Sequence, residues 1–376
     1  MIGTHEESII AAIRKTLTAT AVVGAVLMSS AACGTVEQLS AGKKLDRSFE
    51  KLGKEKKVSF ELDLDVDAKT LKDLDAESAS EPGEELPDAA AELISGAKVS
   101  VTVESKKPID ESEDKDFVGM AMKVSAPEGD LVEYRVIGDY TYMRFGVETL
   151  TKAMDAPVPP TDALPPEAKG LKKMLDGEWV KYDTKKMEKA GQEMGRAPGG
   201  IKPSPEPSLD AKTQKKLLEA LWEAVARKVD FKTAGGDGGT EHITATAPFR
   251  TLITELVGEI RPLVKDLPPG VDLPTDKELK EVPDTTVTAD FTLKNGELTE
   301  VHVDLAKLAE KAKPKKFGLV LKMNEGATPT APAGAAELYP DDLMRGFAPG
   351  MMQDEGFDES GFPGADLEED FTEDAA

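Results

Sequence analysis

Apolar and polar side chains alternate along residues 58–67. Val58, Phe60, Leu62, Leu64 and Val66 occupy every second position, and each position between them is polar. Successive side chains of a β-strand point to opposite faces, so this segment is predicted to be a strand with one covered and one wet face. That division is typical of an antiparallel sheet that carries helices or a ligand on one side only.

Ten more segments have the residue patterns of strands: residues 97–104, 116–125, 131–137, 140–145, 179–183, 229–233, 240–247, 287–294, 297–305 and 317–323. In the first of them, Val99, Val101 and Val103 alternate with polar residues. Gly138-Asp139 and Asn295-Gly296 each separate two segments by two residues, which predicts tight hairpin turns. The chain is therefore expected to build a sheet of about eleven strands.

Apolar residues at helical spacing predict three helices that are suited to cover this sheet. Residues 34–53 carry Ala41, Leu45, Phe49 and Leu52 on one helical face. A second helix is predicted after Ser208, where the apolar stripe consists of Leu217, Leu218, Leu221, Trp222 and Val225. A third follows Pro248, where Phe249, Leu252, Ile253, Leu256, Val257 and Ile260 form a wide apolar face. The predicted fold class is therefore α+β.

The remaining segments are rich in acids, prolines or glycines. Residues 73–92 hold eight acids and no base, which predicts a solvated loop with one helical turn near 89–94. Residues 157–170 and 262–283 are proline-rich and predicted to be loops, and 195–208 reads as a linker. Beyond Thr328 the chain becomes Pro/Ala/Gly-rich and then acidic. Residues 328–376 are therefore predicted to be a disordered acidic tail, either a solvated brush or an acidic-aromatic segment that docks on a basic partner.

The formal net charge is -24, and half of it lies in the last forty residues. Nucleic-acid binding needs a concentration of Lys and Arg, so a nucleic-acid partner is excluded on charge. The same charge opposes adhesion to anionic lipid headgroups.

The N-terminus has the layout of a secretory signal peptide. Arg14 and Lys15 precede an apolar stretch over 17–28, which is followed by small residues and then by Cys33, the only cysteine. This arrangement resembles the lipobox of bacterial lipoproteins, which implies that residues 1–32 are removed and that Cys33 carries the lipid, palmitate being typical. The alternative is a signal peptide with a chance cysteine. No later apolar run is long enough for a transmembrane helix, so the expected location is the extracytoplasmic face of the cell membrane, held by lipid.

The residues expected of an enzyme are missing. His242 and His302 lie on predicted strand positions and are expected to face solvent, and Cys33 is committed to the anchor. No nucleotide-binding or nucleophile-elbow motif occurs in a strand-to-helix setting. His5 lies in the signal peptide, and the other two histidines, with no carboxylates that the sequence singles out, do not make a zinc site. The sequence therefore predicts no catalytic residues, no cofactor and no metal.

The order of these elements behind a lipobox resembles the LprG/LppX family of lipoproteins and the wider LolA/LolB-like fold. The local matches lie at residues 131–144, 179–186 and 286–323, and the resemblance covers roughly residues 36–326. It implies a curved antiparallel half-barrel sheet, within residues 33–327, with helices covering its concave face. It also implies a cavity for the acyl chains of a lipid or lipidated glycan. The acidic loop, the proline-rich insertions and the tail depart from the family.

Two functions are consistent with these observations. The first is a non-enzymatic, membrane-anchored lipoprotein that binds or carries an apolar ligand, an envelope lipid, in the half-barrel cavity. Candidate cavity-lining residues are Val58, Phe60, Leu62, Leu64, Val66, Val99, Val101, Val103, Leu252 and Leu256. The alternative is an interaction or sensing lipoprotein whose cavity is filled and whose acidic loops and tail contact a protein.

Overall fold

A computed structural model describes residues 36–78, 86–153, 169–187, 189–190, 227–262, 273–309, 314 and 316–340. The fold is α+β, with twelve strands in one curved, unclosed sheet. The strands are β1 (Lys57–Leu64), β2 (Lys98–Ser105), β3 (Phe117–Ala126), β4 (Gly129–Ile137), β5 (Tyr140–Phe145), β6 (Val180–Asp183), β7 (Asp230–Gly235), β8 (Thr240–Pro248), β9 (Thr286–Lys294), β10 (Glu297–Asp304), β11 (Gly318–Asn324) and β12 (Ala336–Glu337). All eleven predicted strands are confirmed, and β12 is additional.

The strand order is β12-β6-β5-β4-β3-β2-β1-β11-β10-β9-β8-β7. Every neighbouring pair is antiparallel except β12 and β6, which are parallel. The first and last long segments of the sheet, β1 and β11, therefore meet at its centre. This pairing joins residues more than two hundred and fifty positions apart, such as Leu62 and Leu321, so the sheet is one unit.

The predicted hairpin turns are present. Asn295 and Gly296 both have positive φ, 54° and 74°, as a type I′ turn requires. Gly138, with φ of 59°, begins the turn between β4 and β5. Register shifts interrupt three strand pairs, β2–β3, β3–β4 and β9–β10. Such bulges bend a strand and increase its twist, so they contribute to the curvature of the sheet.

The described helices are α1 (Val36–Lys54), α2 (Ala68–Ser78), α3 (Asp88–Gly96), α4 (Val147–Ala153), α5 (Lys169–Leu175), α6 (Phe249–Ile260) and α7 (Asp276–Glu281), with short 3-10 turns at Ile109–Glu111, Asp114–Asp116 and Ala306–Leu308. The predicted helices over 34–53 and after Pro248 correspond to α1 and α6. The helix predicted after Ser208 lies outside the described residues, apart from its last two positions.

Two loop predictions were wrong in part. The acidic segment 73–92 contains the end of α2 and most of α3, where a single helical turn was expected. Asp67 Oδ1 accepts from the Thr70 amide at 2.7 Å and satisfies a backbone donor at the start of α2. Within the proline-rich segment, Thr275 and Glu278 form a capping box that begins α7.

Two buried clusters lie on the same face of the sheet. One joins Ala41 and Leu45 of α1 to Ile243, Leu293 and Leu298 of β8, β9 and β10. The other contains Val58, Val103, Ile109, Met120 and Val136, with Leu52 of α1 packed against it. Since α1 contributes Ala41 and Leu45 to the first cluster and packs Leu52 against the second, this one helix covers part of both.

Residues 325–340, the C-terminal segment, cross the opposite face of the sheet from β11 to β6. Lys57 Nζ donates to the Gly326 carbonyl at 3.0 Å, and Arg135 Nη1 donates to the Thr330 carbonyl at 2.9 Å. The Ala336 amide then donates to the Trp179 carbonyl, and Leu338 is buried. The chain therefore keeps contact with the sheet beyond residue 327, where the sequence places the end of the domain.

Candidate functional site: the apolar face of the sheet

The strand registers divide the side chains of the sheet between two faces. Val58, Phe60 and Leu62 pair with Val103, Val101 and Val99, and Leu62 and Leu64 pair with Leu321 and Leu319. We call the face that carries these residues the apolar face. Seven of the ten candidate residues, Val58, Phe60, Leu62, Leu64, Val99, Val101 and Val103, lie on it. That they line a ligand cavity stays a prediction.

The other three candidates lie elsewhere. Val66 is buried just after β1 has ended. Leu252 and Leu256 are half-buried on α6, which contacts β8 and α7. Cys33 and residues 341–376 of the acidic tail lie outside the described residues, so the anchor stays a prediction.

No charged side chain lies on the apolar face of the six strands β1 to β6. From β3 to β6, the pairings bring Met120, Met122 and Val124 beside Val136, Tyr134 and Val132, and these beside Thr141, Met143 and Phe145 of β5. Tyr182 and Val180 of β6 complete the set. The charged residues of the same strands occupy alternate positions, which point to the other face.

Burial along the apolar face is uneven. Val58 and Val103 are 3% and 5% exposed, and Ile243 and Leu293 are fully buried. At the other end of β1 and β11, Leu62, Leu64, Val99, Leu319 and Leu321 are only half-buried. The face is therefore closed at the end where β1 begins and leaves apolar surface at the end where β1 finishes.

One flank of α1 is held to the hairpin turns at the rim of the sheet. Lys44 Nζ pairs with Glu241 Oε2 at 3.1 Å, and Lys51 Nζ donates to the Asn295 carbonyl at 3.1 Å. Asp46 is about 200° around the helix from Lys44, on the opposite flank. It is 5% exposed, and its Oδ1 has no hydrogen-bond partner in the described part of the chain. Burial, reinforced by the nearby Glu50, raises the pKa of Asp46 from 3.8 to about 7.

Four hydroxyl groups meet on the apolar face at β4, β5 and β6. Thr141 Oγ1 lies 2.9 Å from Thr184 Oγ1, Tyr182 is the strand partner of Thr141, and Tyr134 is diagonal to Thr141 across the β4–β5 pair. We call Tyr134, Thr141, Tyr182 and Thr184 the hydroxyl cluster. Sequence reasoning missed it, although the β4–β5 hairpin register, read from the predicted turn, already places Tyr134 and Thr141 on one face.

A groove of about 410 Å³ opens onto the apolar face beside the end of α1. Leu52, Val58, Leu298 and Met323 line its apolar part, and Lys51 and Glu297 stand at its rim. Two other grooves, of about 550 and 430 Å³, are lined by ion-paired residues. The first includes Asp130, Glu133 and Arg144, and the second includes Asp63, Lys98 and Lys322.

The opposite face is polar and ion-paired. Lys98 Nζ lies 3.1 Å from Glu61 Oε1, and Lys322 Nζ lies 3.4 Å from Asp63 Oδ2. His302 Nε2 is 3.5 Å from Asp65 Oδ2, and His242 contacts Thr292. Both histidines occupy this polar face, as the sequence predicted. Among the described residues, no group of three or more His, Cys, Asp or Glu side chains is arranged to hold a metal ion.

Comparison with known proteins adds little to this description. The chain matches no protein-family model. No curated protein matches its sequence. Among solved structures, it is similar to the Mycobacterium tuberculosis lipoprotein LppX, with 11% identity and a TM-score of 0.29 over 77% of this chain and 98% of that one. A likeness of this size carries no argument about ligand or activity. Within the described ranges, no helix combines the length and apolar character needed to cross a membrane.

Proposed function

We propose that this chain is an exported lipoprotein, anchored through Cys33 to the extracytoplasmic face of the cell membrane, that binds an apolar ligand. The ligand is a lipid or lipidated glycan whose acyl chains lie on the apolar face. The protein carries or displays this ligand and catalyses no reaction. The resemblance to the LprG/LppX family, stated on the order of elements, is part of the proposal.

The observation that carries the proposal is the half-buried end of the apolar face. Leu62, Leu64, Val99, Leu319 and Leu321 keep partial exposure although they form the centre of the sheet. Covering apolar surface contributes about 25 cal/mol per Å², or about 0.8 kcal/mol for each CH₂ group. An acyl chain that covers these residues would remove apolar surface from water on the ligand and on the protein, and both contribute to binding. The uncharged face adds no desolvation cost.

Mass spectrometry of organic extracts tests ligand binding directly. The chain carrying Cys33→Ala is purified without detergent, so that any acyl group detected is bound rather than covalent. We expect a stoichiometric acylated species to co-purify. A preparation that contains none, and that takes up no acyl ligand afterwards, would instead favour the interaction lipoprotein with a filled cavity.

Metabolic labelling tests the anchor separately. The unsubstituted chain is expected to incorporate radiolabelled palmitate and to fractionate with membranes. Cys33→Ala should abolish both, because no second thiol exists in the chain. Ser30→Ala, three positions before the cysteine, is a matched control and should leave labelling in place. Labelling that persists in Cys33→Ala would show that the anchor assignment is wrong.

A further inference from the structure

The outer side of α1, which is turned away from the sheet, carries basic side chains. Lys43, Arg47 and Lys54 lie within about 40° of one another around the helix, and all three are exposed. Lys56, two residues beyond the end of α1, is exposed as well. We call these four residues the basic stripe. None of them forms an ion pair within the described part of the chain, whereas the lysines on the flank of the helix are paired at the rim of the sheet.

The charge of this region is opposite in sign to that of the whole chain. Residues 36–57 contain seven bases and four acids, in a chain whose net charge is -24. One of the acids, Asp46, is buried, and burial raises its pKa to about 7, so it is only partly ionised near neutral pH. Glu50 is the acid that shares the exposed side of the helix with the basic stripe. The charge of the whole chain opposes contact with an anionic surface, but α1 presents a cationic side.

The basic stripe is close in sequence to the proposed lipid anchor. Val36, the first residue of α1, comes three residues after Cys33. An extended chain spans at most about 3.6 Å per residue, so α1 begins within about 11 Å of the anchored residue. The negative potential of an anionic membrane falls off over a Debye length, about 8 to 10 Å. A lipid on Cys33 would therefore hold the start of α1 at the edge of this potential, and the stripe follows along the next turns.

Contact along the basic stripe would also orient the apolar face. Leu45 of α1 lies in one core cluster of that face, and Leu52 packs against the other. The basic stripe occupies the other side of the helix, so it points away from the sheet on the side where the apolar face lies. Leu62 and Leu64, at the half-buried end, belong to the same face. A membrane in contact with the stripe would therefore lie on the side of the sheet where the ligand binds.

We propose that the basic stripe docks the protein on the anionic headgroups of the membrane that holds its lipid anchor. This inference rests on the proposed function, because the lipid on Cys33 brings α1 to that membrane. Each Lys or Arg near an anionic membrane contributes about fivefold to binding. The anionic remainder of the chain is repelled by the same headgroups, which favours the one orientation that presents α1.

Acetylation of lysines on vesicles tests the proposal. The mature chain, residues 33–376, is coupled through its one thiol, Cys33, to a maleimide phospholipid in vesicles. The vesicles consist of phosphatidylcholine, or of an equal mixture of phosphatidylcholine and phosphatidylglycerol, and mass spectrometry measures the acetylation rate of single lysines. On the anionic vesicles, Lys43, Lys54 and Lys56 should react at least about fivefold more slowly than on the zwitterionic ones. High salt should remove the difference, because it screens the headgroups.

Two double variants show whether the basic stripe is responsible. Lys43→Gln with Arg47→Gln removes two cations and should weaken docking about twentyfold, so that Lys54 reacts at nearly the same rate on both vesicles. Lys277→Gln with Lys280→Gln is the matched control, because both lysines are exposed on α7, which packs on α6. In that control, Lys54 should still react slowly on the anionic vesicles.

Equal acetylation of the basic stripe on both vesicles would overturn the proposal, and so would a difference that survives high salt or the loss of Lys43 and Arg47. Slow acetylation without vesicles, relieved when the chain ends after residue 340, would overturn it as well, because acidic residues 341–376 would then cover the stripe. The anchor in this assay is attached chemically. A failure of palmitate labelling in cells therefore counts against the proposed function, whereas equal acetylation on the two vesicles counts against the docking surface.

Discussion

At the scale of single residues, Asp46 is a buried acid whose protonated form is favoured by the fold. Its pKa is raised from 3.8 to about 7, first by burial and then by the charge of Glu50 one helical turn away. In the unfolded chain the carboxyl ionises near its ordinary pKa. Between about pH 4 and pH 7 the unfolded state therefore loses this proton while the folded state keeps it. The contribution of the protonated carboxyl to the free energy of unfolding is therefore fully present below about pH 4. It is lost as the pH rises to about 7.

The variant Asp46→Asn should remove this pH dependence, because an amide has the shape of the protonated acid and does not ionise. We expect its free energy of unfolding to equal that of the unsubstituted chain at pH 4 and to exceed it by about 3 kcal/mol at pH 7.5. Denaturant titration at several pH values measures the difference. Glu50→Gln should move the transition to lower pH. Parallel pH profiles for Asp46→Asn and the unsubstituted chain would show that Asp46 is ionised in the fold.

At the scale of elements, the C-terminal segment is part of the fold. Its residues approach the sheet closely: a Cβ at Gly326, where φ is 53°, would lie 2.4 Å from Ser59 Oγ. Beyond it, Pro329 is buried, and the Leu338 amide donates to the Lys181 carbonyl at 2.8 Å. The segment links β1, β4 and β6, which are otherwise joined only through their neighbours.

Ending the chain after residue 327 should therefore lower the free energy of unfolding by about 3 kcal/mol, from the lost burial of Leu338 and the lost hydrogen bonds. Ending it after residue 340 should leave stability unchanged, because the segment's contacts are retained. Thermal or denaturant unfolding distinguishes the two truncations. Two neighbouring substitutions give the same comparison within the full chain: Leu338→Ala, at 4% exposure, should cost far more than Tyr339→Ala, at 52%. Equal stability of both truncations would contradict a structural role.

The sequence predicted those elements whose signal is local. Alternation between Val58 and Leu64 placed β1, and Asn295-Gly296 placed the β9–β10 hairpin, because each pattern is contained in a few residues. The capping box at Thr275 is an equally local pattern, but the surrounding prolines led to the prediction of a loop. The pairing of β12 with β6 was beyond such reasoning. A two-residue parallel strand has no alternation, and its partner lies far away in the chain.

The candidate site was predictable to the same extent. Alternation determines which side chains share a face of a strand, so it correctly grouped Val58, Phe60 and Leu62 with Val99 and Val101. Their unequal burial depends on what covers each of them, which is a property of the whole fold. Asp46 shows the same limit, because the apolar stripe of α1 does not reveal that the flank beside it is also buried. The hydroxyl cluster required the register of three strands.

At the scale of the whole molecule, the two proposed functions differ in what occupies the half-buried end of the apolar face. If the protein's own side chains fill it, added bulk must strain the core and costs about 1–3 kcal/mol. If a ligand fills it, added bulk displaces the ligand and costs the empty protein little.

The variant Leu62→Trp separates the two cases. We expect its free energy of unfolding to stay within about 1 kcal/mol of the unsubstituted chain, measured without ligand, while uptake of the fluorescent hydrocarbon diphenylhexatriene is lost. Val58→Trp is the matched control in the closed end, where Val58 is 3% exposed, and it should destabilise the fold. Strong destabilisation by both tryptophans would show that the sheet is packed along its whole length, and would leave the interaction lipoprotein as the better account.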